Sequence, residues 1–371
     1  MRIGIPREVK NHEYRVAITP AGVHELTAQG HEVIVERGAG EGSAVADDDY
    51  AGAGAKLEES ADELWARSEM VLKVKEPVAE EYHRLREDLV LFTFLHLAAS
   101  RECTEALLSA GTTAIAYETV QYPDGRLPLL YPMSEVAGCL APQAGAHALR
   151  RAEGGRGLLL GGVSGVRPAS VVVIGAGVAG TNAIAMATGM WADVTVLDTN
   201  VDKVRALDRR YNGRITTIAA NSLEVEQAVL GADLVIGAVL LPGARAPRLV
   251  SNELVSRMKP GSVLVDISID QGGCFEDSQP TTHAEPTFRV HDSLLYCVTN
   301  MPGAVPNTST YALTNVTLPY VTAIANRGWR EASRTDPALA GGLNTHDGNL
   351  TSEPVADAHG LPHLPVADAI S

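Results

Sequence analysis

Short apolar runs alternate with helix-like stretches along the first third of the chain. The runs predict strands at residues 3–6, 31–36, 70–75, 89–97 and 114–117. Helical patterns lie between them, beginning at Pro20 and covering residues 47–54 and 61–68. Because apolar strands that alternate with helices are typical of a buried parallel sheet, we expect an α/β domain with helices on both faces.

The same alternation returns in the second half of the chain. A helix is predicted over residues 134–151 despite Pro142, followed by a glycine-rich connector at 154–165. Six strands are then predicted, at residues 171–174, 194–197, 215–219, 234–240, 262–270 and 294–300. Six strands with helices between them are typical of a doubly wound Rossmann sheet. A further helix is predicted at 309–326, and the polar tail after Trp329 gives no clear pattern.

A glycine motif joins the first two strands of that second sheet. It reads Gly175-Ala176-Gly177-Val178-Ala179-Gly180, a G-x-G-x-x-G sequence between a strand and a helix. The first glycine allows a sharp turn, the second lets a pyrophosphate approach the backbone, and the third lets the helix pack on the strand. The N–H groups at the helix N-terminus attract the phosphates. The motif therefore predicts a dinucleotide site, although a purely structural turn is the alternative.

An acidic residue supports the dinucleotide interpretation and selects the cofactor. Asp198 ends the second strand, 198 − 180 = 18 residues after Gly180. An acid at about 20 residues binds the adenosine ribose hydroxyls. It would repel the 2′-phosphate of NADP, and position 199 is threonine rather than arginine. The sequence therefore predicts NAD as the cofactor.

These patterns predict the domain organisation. The fold class is α/β, with two Rossmann-like doubly wound parallel-sheet domains and a cleft between them. We expect the NAD-binding domain at residues 131–306. The substrate domain is expected at 1–130 and 307–371, and it is discontinuous if the helix at 309–326 packs back on the first segment.

Composition excludes several classes of protein. The chain has 371 residues, and its net charge of −15 argues against a nucleic-acid partner. No apolar run is long enough to span a membrane, and no signal peptide is expected because the first residues already form a strand. The four cysteines show no metal-ligand spacing and are expected to be small core residues of a cytoplasmic protein: Cys103, Cys139, Cys274 and Cys297.

Four polar residues stand at the ends of predicted strands or in a loop after one, where ligands of open α/β sheets bind. They are Lys75, His96, Asp270 and, in the loop after the first strand, Arg15. Each has a structural alternative. His96 could be a core histidine, Lys75 a strand-end lysine with its charge in solvent, Arg15 a surface charge, and Asp270 a turn cap.

Several motifs resemble the alanine dehydrogenase and transhydrogenase α-subunit family. The first is Pro6-Arg7-Glu8-x-Lys10-x-x-Glu13-x-Arg15-Val16-Ala17-x-Thr19-Pro20. The others are Lys73-Val74-Lys75-Glu76-Pro77, Thr93-Phe94-Leu95-His96-Leu97-Ala98, Tyr131-Pro132-Met133-Ser134-Glu135-Val136-Ala137-Gly138, Asp266-Ile267-Ser268-Ile269-Asp270-Gln271-Gly272-Gly273 and Asn300-Met301-Pro302-Gly303. The resemblance extends over residues 1 to about 330.

The resemblance implies an NAD-dependent oxidoreductase that interconverts L-alanine with pyruvate, ammonium and NADH. Arg15 and Lys75 would bind the pyruvate carboxylate and keto oxygen, His96 would be the acid/base, and Asp270 the essential carboxylate. With the glycine motif, it implies a cofactor site formed by Ser134, Gly175, Gly177, Val178, Ala179, Gly180, Asp198, Lys203, Val239, Leu240, Ile267, Asp270, Val298, Asn300 and Met301.

The resemblance also bears on assembly and metals. Members of the family are typically homohexamers. Some have a divalent cation at a glutamate and a histidine; Glu118 matches the first, but Arg327 stands at the second position, so we expect no metal.

The residue types suit reductive amination. Cationic Lys75 and Arg15 would orient and polarise the 2-oxo acid, and a histidine transfers protons near neutral pH. An anionic Asp270 would stabilise the cationic iminium. Glyoxylate should also react, because one methyl group gives only ~1–3 kcal/mol of discrimination.

Three alternatives remain. They are a transhydrogenase NAD-binding subunit, a saccharopine- or lysine-type dehydrogenase with a larger substrate, and a catalytically silent NAD-sensing module.

Overall fold

The structure is a computed structural model that describes residues 1–239 and 246–371. The chain divides into two compact units. The first unit contains Met1–Met133 and Val305–Ser371, and the second contains Ser134–Ala304.

The first segment of the chain alternates strands and helices as expected. Its strands are β1 (Arg2–Ile5), β2 (Glu32–Glu36), β3 (Lys56–Glu58), β4 (Met70–Leu72), β5 (Val90–Thr93) and β6 (Thr113–Ala116). Its helices are α1 (Pro20–Ala28), α2 (Asp47–Gly52), α3 (Ala61–Arg67) and α4 (Arg101–Ser109). The next helix, α5 (Tyr131–Ala148), begins at the end of this segment and lies mostly in the second unit. The pattern did not predict α4 or the charged edge strand β3.

Two strands of this segment end earlier than the apolar runs suggested. β4 stops at Leu72 and β5 at Thr93, so Lys75 and His96 lie in turns beyond the strands rather than at their last residues. The runs continue because Val74 and Leu95 are buried in these turns. Burial, not strand geometry, therefore explains the apolar residues there.

The second unit contains seven strands. They are β7 (Ser170–Ile174), β8 (Asp193–Asp198), β9 (Thr216–Ala219), β10 (Leu234–Gly237), β11 (Val263–Asp266), β12 (Thr287–Val290) and β13 (Ser293–Tyr296). The helices between them are α6 (Val178–Gly189), α7 (Val201–Tyr211), α8 (Ser222–Gly231) and α9 (Asn252–Ser256). Six of the strands were predicted. The seventh, β12, pairs antiparallel with β13 at the edge of the sheet.

The chain from Pro306 onward forms five helices and two short strands. It contains α10 (Pro306–Arg327), α11 (Trp329–Thr335), α12 (Pro337–Gly342), β14 (Leu343–His346), β15 (Asn349–Leu350), α13 (Glu353–His359) and α14 (Val366–Ala369). α10 packs on the first segment, where Thr310 Oγ1 accepts the Val16 N–H at 3.1 Å. No helix in the described ranges, α10 included, is long and apolar enough to cross a membrane.

Each unit is built on one mixed, mainly parallel sheet. The strand order is β15-β14-β6-β5-β4-β1-β2-β3 in the first unit and β12-β13-β11-β10-β7-β8-β9 in the second. Both contain the doubly wound order in which the first strand lies at the centre and the chain winds outward in both directions. The predicted α/β class with two such sheets is confirmed.

Alternate residues of the central strand β7 face opposite apolar cores. Val171 and Val173 belong to the core on one face of the sheet, while Val172 and Ile174 belong to the core on the other. Continuous burial on both faces is why the strand reads as an unbroken apolar run.

The cysteines are mainly core residues, as expected. All four thiols are free, and Cys103, Cys274 and Cys297 are buried. Burial raises the pKa of Cys103 and of Cys297 to about 12, so these thiols stay protonated and unreactive at neutral pH. Cys139 differs, because it is partly exposed.

A fully buried lysine lies directly after β4. Lys73 Nζ contacts Glu8 Oε2 at 3.0 Å and Glu81 Oε1 at 2.9 Å, and the three side chains are almost completely buried. Burial alone would lower the pKa of Lys73, but the two carboxylates outweigh it and raise the pKa. The ammonium group therefore remains charged. Burial nevertheless raises the pKa of Glu8, an effect that the attraction of Lys73 offsets only in part.

We expect Lys73→Met to reduce the free energy of unfolding by about 3–5 kcal/mol, because it leaves two buried carboxylates unpaired. Urea denaturation at neutral pH measures the loss. Lys56→Met is the matched control: its pair with Glu32 is largely exposed and should contribute at most ~1 kcal/mol.

The Lys73→Met deficit should shrink as the pH falls, because unpaired buried carboxylates then bind protons more tightly in the folded than in the unfolded state. A loss equal to that of Lys56→Met would contradict the role given to the buried lysine.

Candidate active site

The glycine motif forms a tight turn between β7 and α6. Gly175 has φ +104°, and a Cβ there would lie 2.6 Å from the Ala238 carbonyl oxygen. A Cβ at Gly180 would overlap the Gly175 carbonyl oxygen. At Gly177, by contrast, an added Cβ would meet no described atom within 4 Å. The first and third glycines are therefore required by packing within the protein, whereas the second leaves space at the turn.

The N-terminus of α6 opens toward this turn. The helix begins at Val178, and no described side chain caps it at Gly177. Its first N–H groups thus have no side-chain acceptor among residues 1–239 and 246–371. Such N–H groups and the positive end of the helix dipole fit a dinucleotide pyrophosphate, and Val178 and Ala179 are only half-buried.

Asp198 lies beside the glycine turn, as its position at the end of β8 predicts. β8 pairs with β7 so that Leu197 is opposite Ile174. The Asp198 carboxylate accepts the N–H of Ala176 and the N–H of Asn200, both at 2.7 Å. The side chain thus joins the strand end to the turn while remaining partly exposed.

Two further predicted cofactor residues lie near the Asp198 carboxylate and the turn. Lys203 Nζ, on α7, is 3.9 Å from Asp198 Oδ2. Val239, after β10, would be 3.1 Å from a Cβ at Gly175, and its carbonyl accepts the Ser268 hydroxyl at 2.7 Å. Leu240 falls outside the described residues.

The remaining predicted cofactor residues occupy different environments. Ser134 is half-buried on α5, a helix that packs on α6 so closely that a Cβ at Gly138 would overlap the Ala179 carbonyl oxygen. Ile267 follows β11 and donates its N–H to Gly237 at 2.9 Å. Val298 and Met301 are buried in the apolar core, and Asn300 is half-buried with φ +60°.

Asp270 lies in a short 3-10 turn (Ile269–Gln271), four residues beyond the end of β11 at Asp266. The prediction that Asp270 ends the strand was therefore wrong by four residues, and Asp266 is the strand-end acid. Asp266 is fully buried and accepts the N–H of Ser268 at 2.9 Å and of Cys274 at 2.8 Å. Asp266 thus holds the two ends of the segment from Ser268 to Cys274. Asp270 lies within this segment and is exposed.

Lys75 follows β4 in a turn that Glu8 stabilises. Glu8 Oε1 accepts the N–H of Val74 at 2.6 Å and that of Lys75 at 3.4 Å. The Lys75 carbonyl accepts the Thr93 hydroxyl at 3.0 Å. The Lys75 side chain is half-buried, and its backbone is hydrogen-bonded to one side chain from the loop after β1 and one from β5.

Arg15 is buried, at 2% exposure, rather than a surface charge. Its Nε and Nη2 donate to the two carboxylate oxygens of Glu13 at 2.7 and 2.5 Å, and its Nη1 lies 3.0 Å from Met133 Sδ. A bidentate ion pair fixes both the plane and the position of a guanidinium group. Arg15 is thus presented in one orientation by Glu13.

His96 has a left-handed backbone with φ +48° and a half-buried side chain. Its ring stacks on Phe94, with 5.8 Å between ring centroids and an interplanar angle of 8°. Its N–H donates to Glu118 Oε1 at 2.6 Å. The ring is therefore neither fully exposed nor enclosed in the core.

Glu76 lies near three basic side chains of the first unit: Lys10, Lys75 and His96. It pairs with Lys10, and its side chain is mostly buried. Burial opposes its ionisation, but Lys75, Lys10 and the nearby His96 together lower the pKa of Glu76. An ionised Glu76 near both Lys75 and His96 indicates that these two residues lie in one region, as expected from the adjacent strands β4 and β5.

No group of three or more histidine, cysteine, aspartate or glutamate side chains in the described ranges is arranged to hold a metal ion. Arg327 ends α10 and donates to the Thr335 hydroxyl at 3.3 Å.

The sequence did not predict the orienting role of five acids: Glu8, Glu13, Glu76, Glu118 and Asp266. Three of them showed a usable signal, because Glu8 and Glu13 stand within a dense charged motif and Asp266 interrupts an apolar strand. Glu118 was considered only as a possible cation ligand, and nothing in the sequence showed that it binds the turn after β5.

The chain matches two family models over most of its length. "Alanine dehydrogenase/PNT, N-terminal domain" matches residues 4–137, and "Alanine dehydrogenase/PNT, C-terminal domain" matches residues 141–353.

Individual proteins agree with these matches. The chain is 64% identical to an alanine dehydrogenase of Mycobacterium tuberculosis and 56% identical to one of Halomonas elongata, with 100% of each chain covered.

Solved structures are also similar. A structure of an L-alanine dehydrogenase has a TM-score of 0.94 and 51% identity, covering 97% of this chain and 99% of its own. The transhydrogenase from Sinorhizobium meliloti has a TM-score of 0.80 and 26% identity, covering 95% and 99%. From the two family models and the full-length relatives, the chain belongs to the alanine dehydrogenase/PNT family.

Proposed function

We propose that the protein is an NAD-dependent L-alanine dehydrogenase, which reversibly converts L-alanine to pyruvate and ammonium. The observation that carries the proposal is that Arg15, Lys75 and His96 each follow one of three adjacent strands. These residues follow β1, β4 and β5, three neighbouring strands of one sheet, in a chain whose full-length relatives are alanine dehydrogenases. Strand ends of this kind are where open α/β sheets bind ligands.

The second unit would bind NAD. The open space at Gly177 and the uncapped start of α6 suit the pyrophosphate, and Asp198 suits the ribose hydroxyls. Asp198 also supports NAD over NADP, because its negative charge would repel a 2′-phosphate. The cofactor supplies the hydride of the reaction.

Arg15 and Lys75 would bind the 2-oxo acid. The guanidinium of Arg15, oriented by Glu13, would bind the substrate carboxylate, and the Lys75 ammonium would polarise the keto oxygen. Ammonia then attacks a carbonyl carbon that is already electron-poor. Glu13 holds the Arg15 guanidinium and Glu8 holds the Lys75 backbone, so little reorganisation should accompany substrate binding.

His96 and Asp270 would act on the reacting carbon. His96 would give a proton to the leaving hydroxyl of the carbinolamine and take protons from the attacking amine. Asp270, an exposed carboxylate, would stabilise the positive charge of the iminium before hydride transfer.

Further features of the proposal concern substrate range and assembly. Glyoxylate should be converted to glycine, because loss of one methyl contact costs only ~1–3 kcal/mol. We also propose a cytoplasmic homohexamer, in keeping with the family resemblance. No divalent cation is expected to take part.

The direct test follows NADH oxidation with pyruvate and ammonium. We expect steady-state turnover with both present and none with pyruvate alone. Glyoxylate should replace pyruvate, whereas 2-oxoglutarate should not. NADH binding without turnover would favour a silent NAD-sensing module, and turnover only with larger 2-oxo acids would favour a saccharopine- or lysine-type dehydrogenase. Hydride exchange between two nucleotides would favour a transhydrogenase subunit.

Cofactor choice should depend on Asp198. We expect Asp198→Ala to raise the ratio of NADPH to NADH efficiency by about tenfold or more, because repulsion of a phosphate at close range is worth ~1–4 kcal/mol. Both absolute rates should fall, since the Ala176 and Asn200 N–H groups lose their acceptor. The ratio of kcat/KM values is therefore the measurement. Asp202→Ala removes an exposed acid from the first turn of α7, close to Asp198 in the sequence, and should leave the ratio unchanged.

The losses of turnover caused by changing His96 and Asp270 should be non-additive. We expect His96→Ala to reduce turnover roughly 10²–10⁴-fold by removing the acid/base. Asp270→Asn should also reduce turnover, and the double variant should lose less than the product of the two effects. NADH titration checks that the fold and cofactor site survive, and His24→Ala, on the exposed face of α1, is the control. Strictly multiplicative losses would contradict a shared reacting centre.

A further inference from the structure

Glu118 has an unusual set of hydrogen-bond partners. It lies in the short 3-10 segment (Tyr117–Thr119) that follows β6. Its Oε1 accepts the N–H of His96 at 2.6 Å and the N–H of Leu95 at 3.2 Å, and its Oε2 also lies 3.2 Å from the Leu95 nitrogen. Two successive backbone donors from one turn therefore point at one carboxylate.

The register of the sheet brings these groups together. β5 and β6 are parallel, with Thr93 opposite Ala116. Two residues beyond that pair, the chain after β5 reaches Leu95 and the chain after β6 reaches Glu118. The glutamate therefore bridges two adjacent strand ends, at the point where the regular hydrogen bonds of the sheet stop.

The turn needs such support because His96 has a left-handed backbone conformation, φ +48° and ψ +36°. A residue with a side chain rarely adopts this conformation without support from its surroundings. A carboxylate accepts N–H groups more strongly than a neutral acceptor does. The Glu118 carboxylate therefore favours this conformation, and the His96 ring stacks on Phe94.

We propose that Glu118 is the positioning residue for His96: its carboxylate binds the Leu95 and His96 N–H groups and thereby fixes the imidazole against the substrate. The inference rests on the proposed dehydrogenase function. In this role the carboxylate oxygens of Glu118 are acceptors for the protein's own backbone. A divalent cation at Glu118 would have to displace or share them.

Two variants of similar size separate the hydrogen bonds from the charge. Glu118→Gln keeps an oxygen that can accept the His96 N–H, whereas Glu118→Leu has no acceptor. We expect Glu118→Leu to lower kcat roughly 10–100-fold, the effect of misplacing a catalytic group by about 1 Å. NADH affinity and the KM for pyruvate should change less than about threefold. Glu118→Gln should retain kcat within about fivefold of the wild type.

Three controls make the test specific. Glu105→Leu, at an exposed site on α4, should leave kcat unchanged. In a His96→Ala background, Glu118→Leu should cause no further loss of turnover, since there is no imidazole left to position. Peptide hydrogen exchange around residues 95 and 96 should accelerate in Glu118→Leu and not in Glu118→Gln.

Several results would overturn the inference. One is normal kcat in Glu118→Leu; another is a full additional loss in the His96→Ala background. A third is a wild-type activity that EDTA abolishes and Mg²⁺ restores, combined with a Glu118→Gln variant as inactive as Glu118→Leu, because the carboxylate would then bind a cation. If Glu118→Leu does not fold, an inactive but folded Glu118→Gln contradicts the proposal. A wild type that does not oxidise NADH with pyruvate and ammonium instead refutes the proposed function.

Discussion

Carboxylates that accept backbone N–H groups at the ends of strands are the interaction on which both units depend. Glu8 binds the turn after β4, Glu118 the turn after β5, Asp266 the turn after β11, and Asp198 the glycine turn after β7. Where a parallel ladder ends, its N–H groups lose their partners, and a charged acceptor satisfies them more strongly than a neutral one. Each of the residues to which we assign chemistry in these turns stands within a few positions of such a bond.

The two units share one strand order but present different residues at the same position of the sheet. In both sheets the chain reverses direction beside the first strand, at β1 and β4 in the first unit and at β7 and β10 in the second. That position presents cationic side chains in the first unit and a glycine turn with an uncapped helix in the second. The strand order therefore provides a location, and the residue types decide what binds there.

Sequence patterns predicted most of the fold because its strands are buried on both faces and read as unbroken apolar runs. They failed at two kinds of strand. β12 is a four-residue edge strand with one exposed arginine. β14 is buried, but polar Asn344 and Thr345 interrupt its apolar pattern, and it pairs with β6, which is distant in the sequence. The sequence located the site residues that follow strands to within one turn. It did not predict the role of the supporting acids, because the sequence around a carboxylate does not show that it binds the backbone of a neighbouring strand.

The ion pair between Glu13 and Arg15 has a consequence for affinity toward a very small molecule. Pyruvate has six non-hydrogen atoms, so even the most efficient contacts give it a ceiling of about 9 kcal/mol of binding free energy. A free arginine side chain carries ~2 kcal/mol of rotamer entropy that a ligand must remove when it binds. Glu13 orders the Arg15 guanidinium during folding. The conformational entropy is therefore lost once, when the protein folds, and not each time a three-carbon substrate arrives.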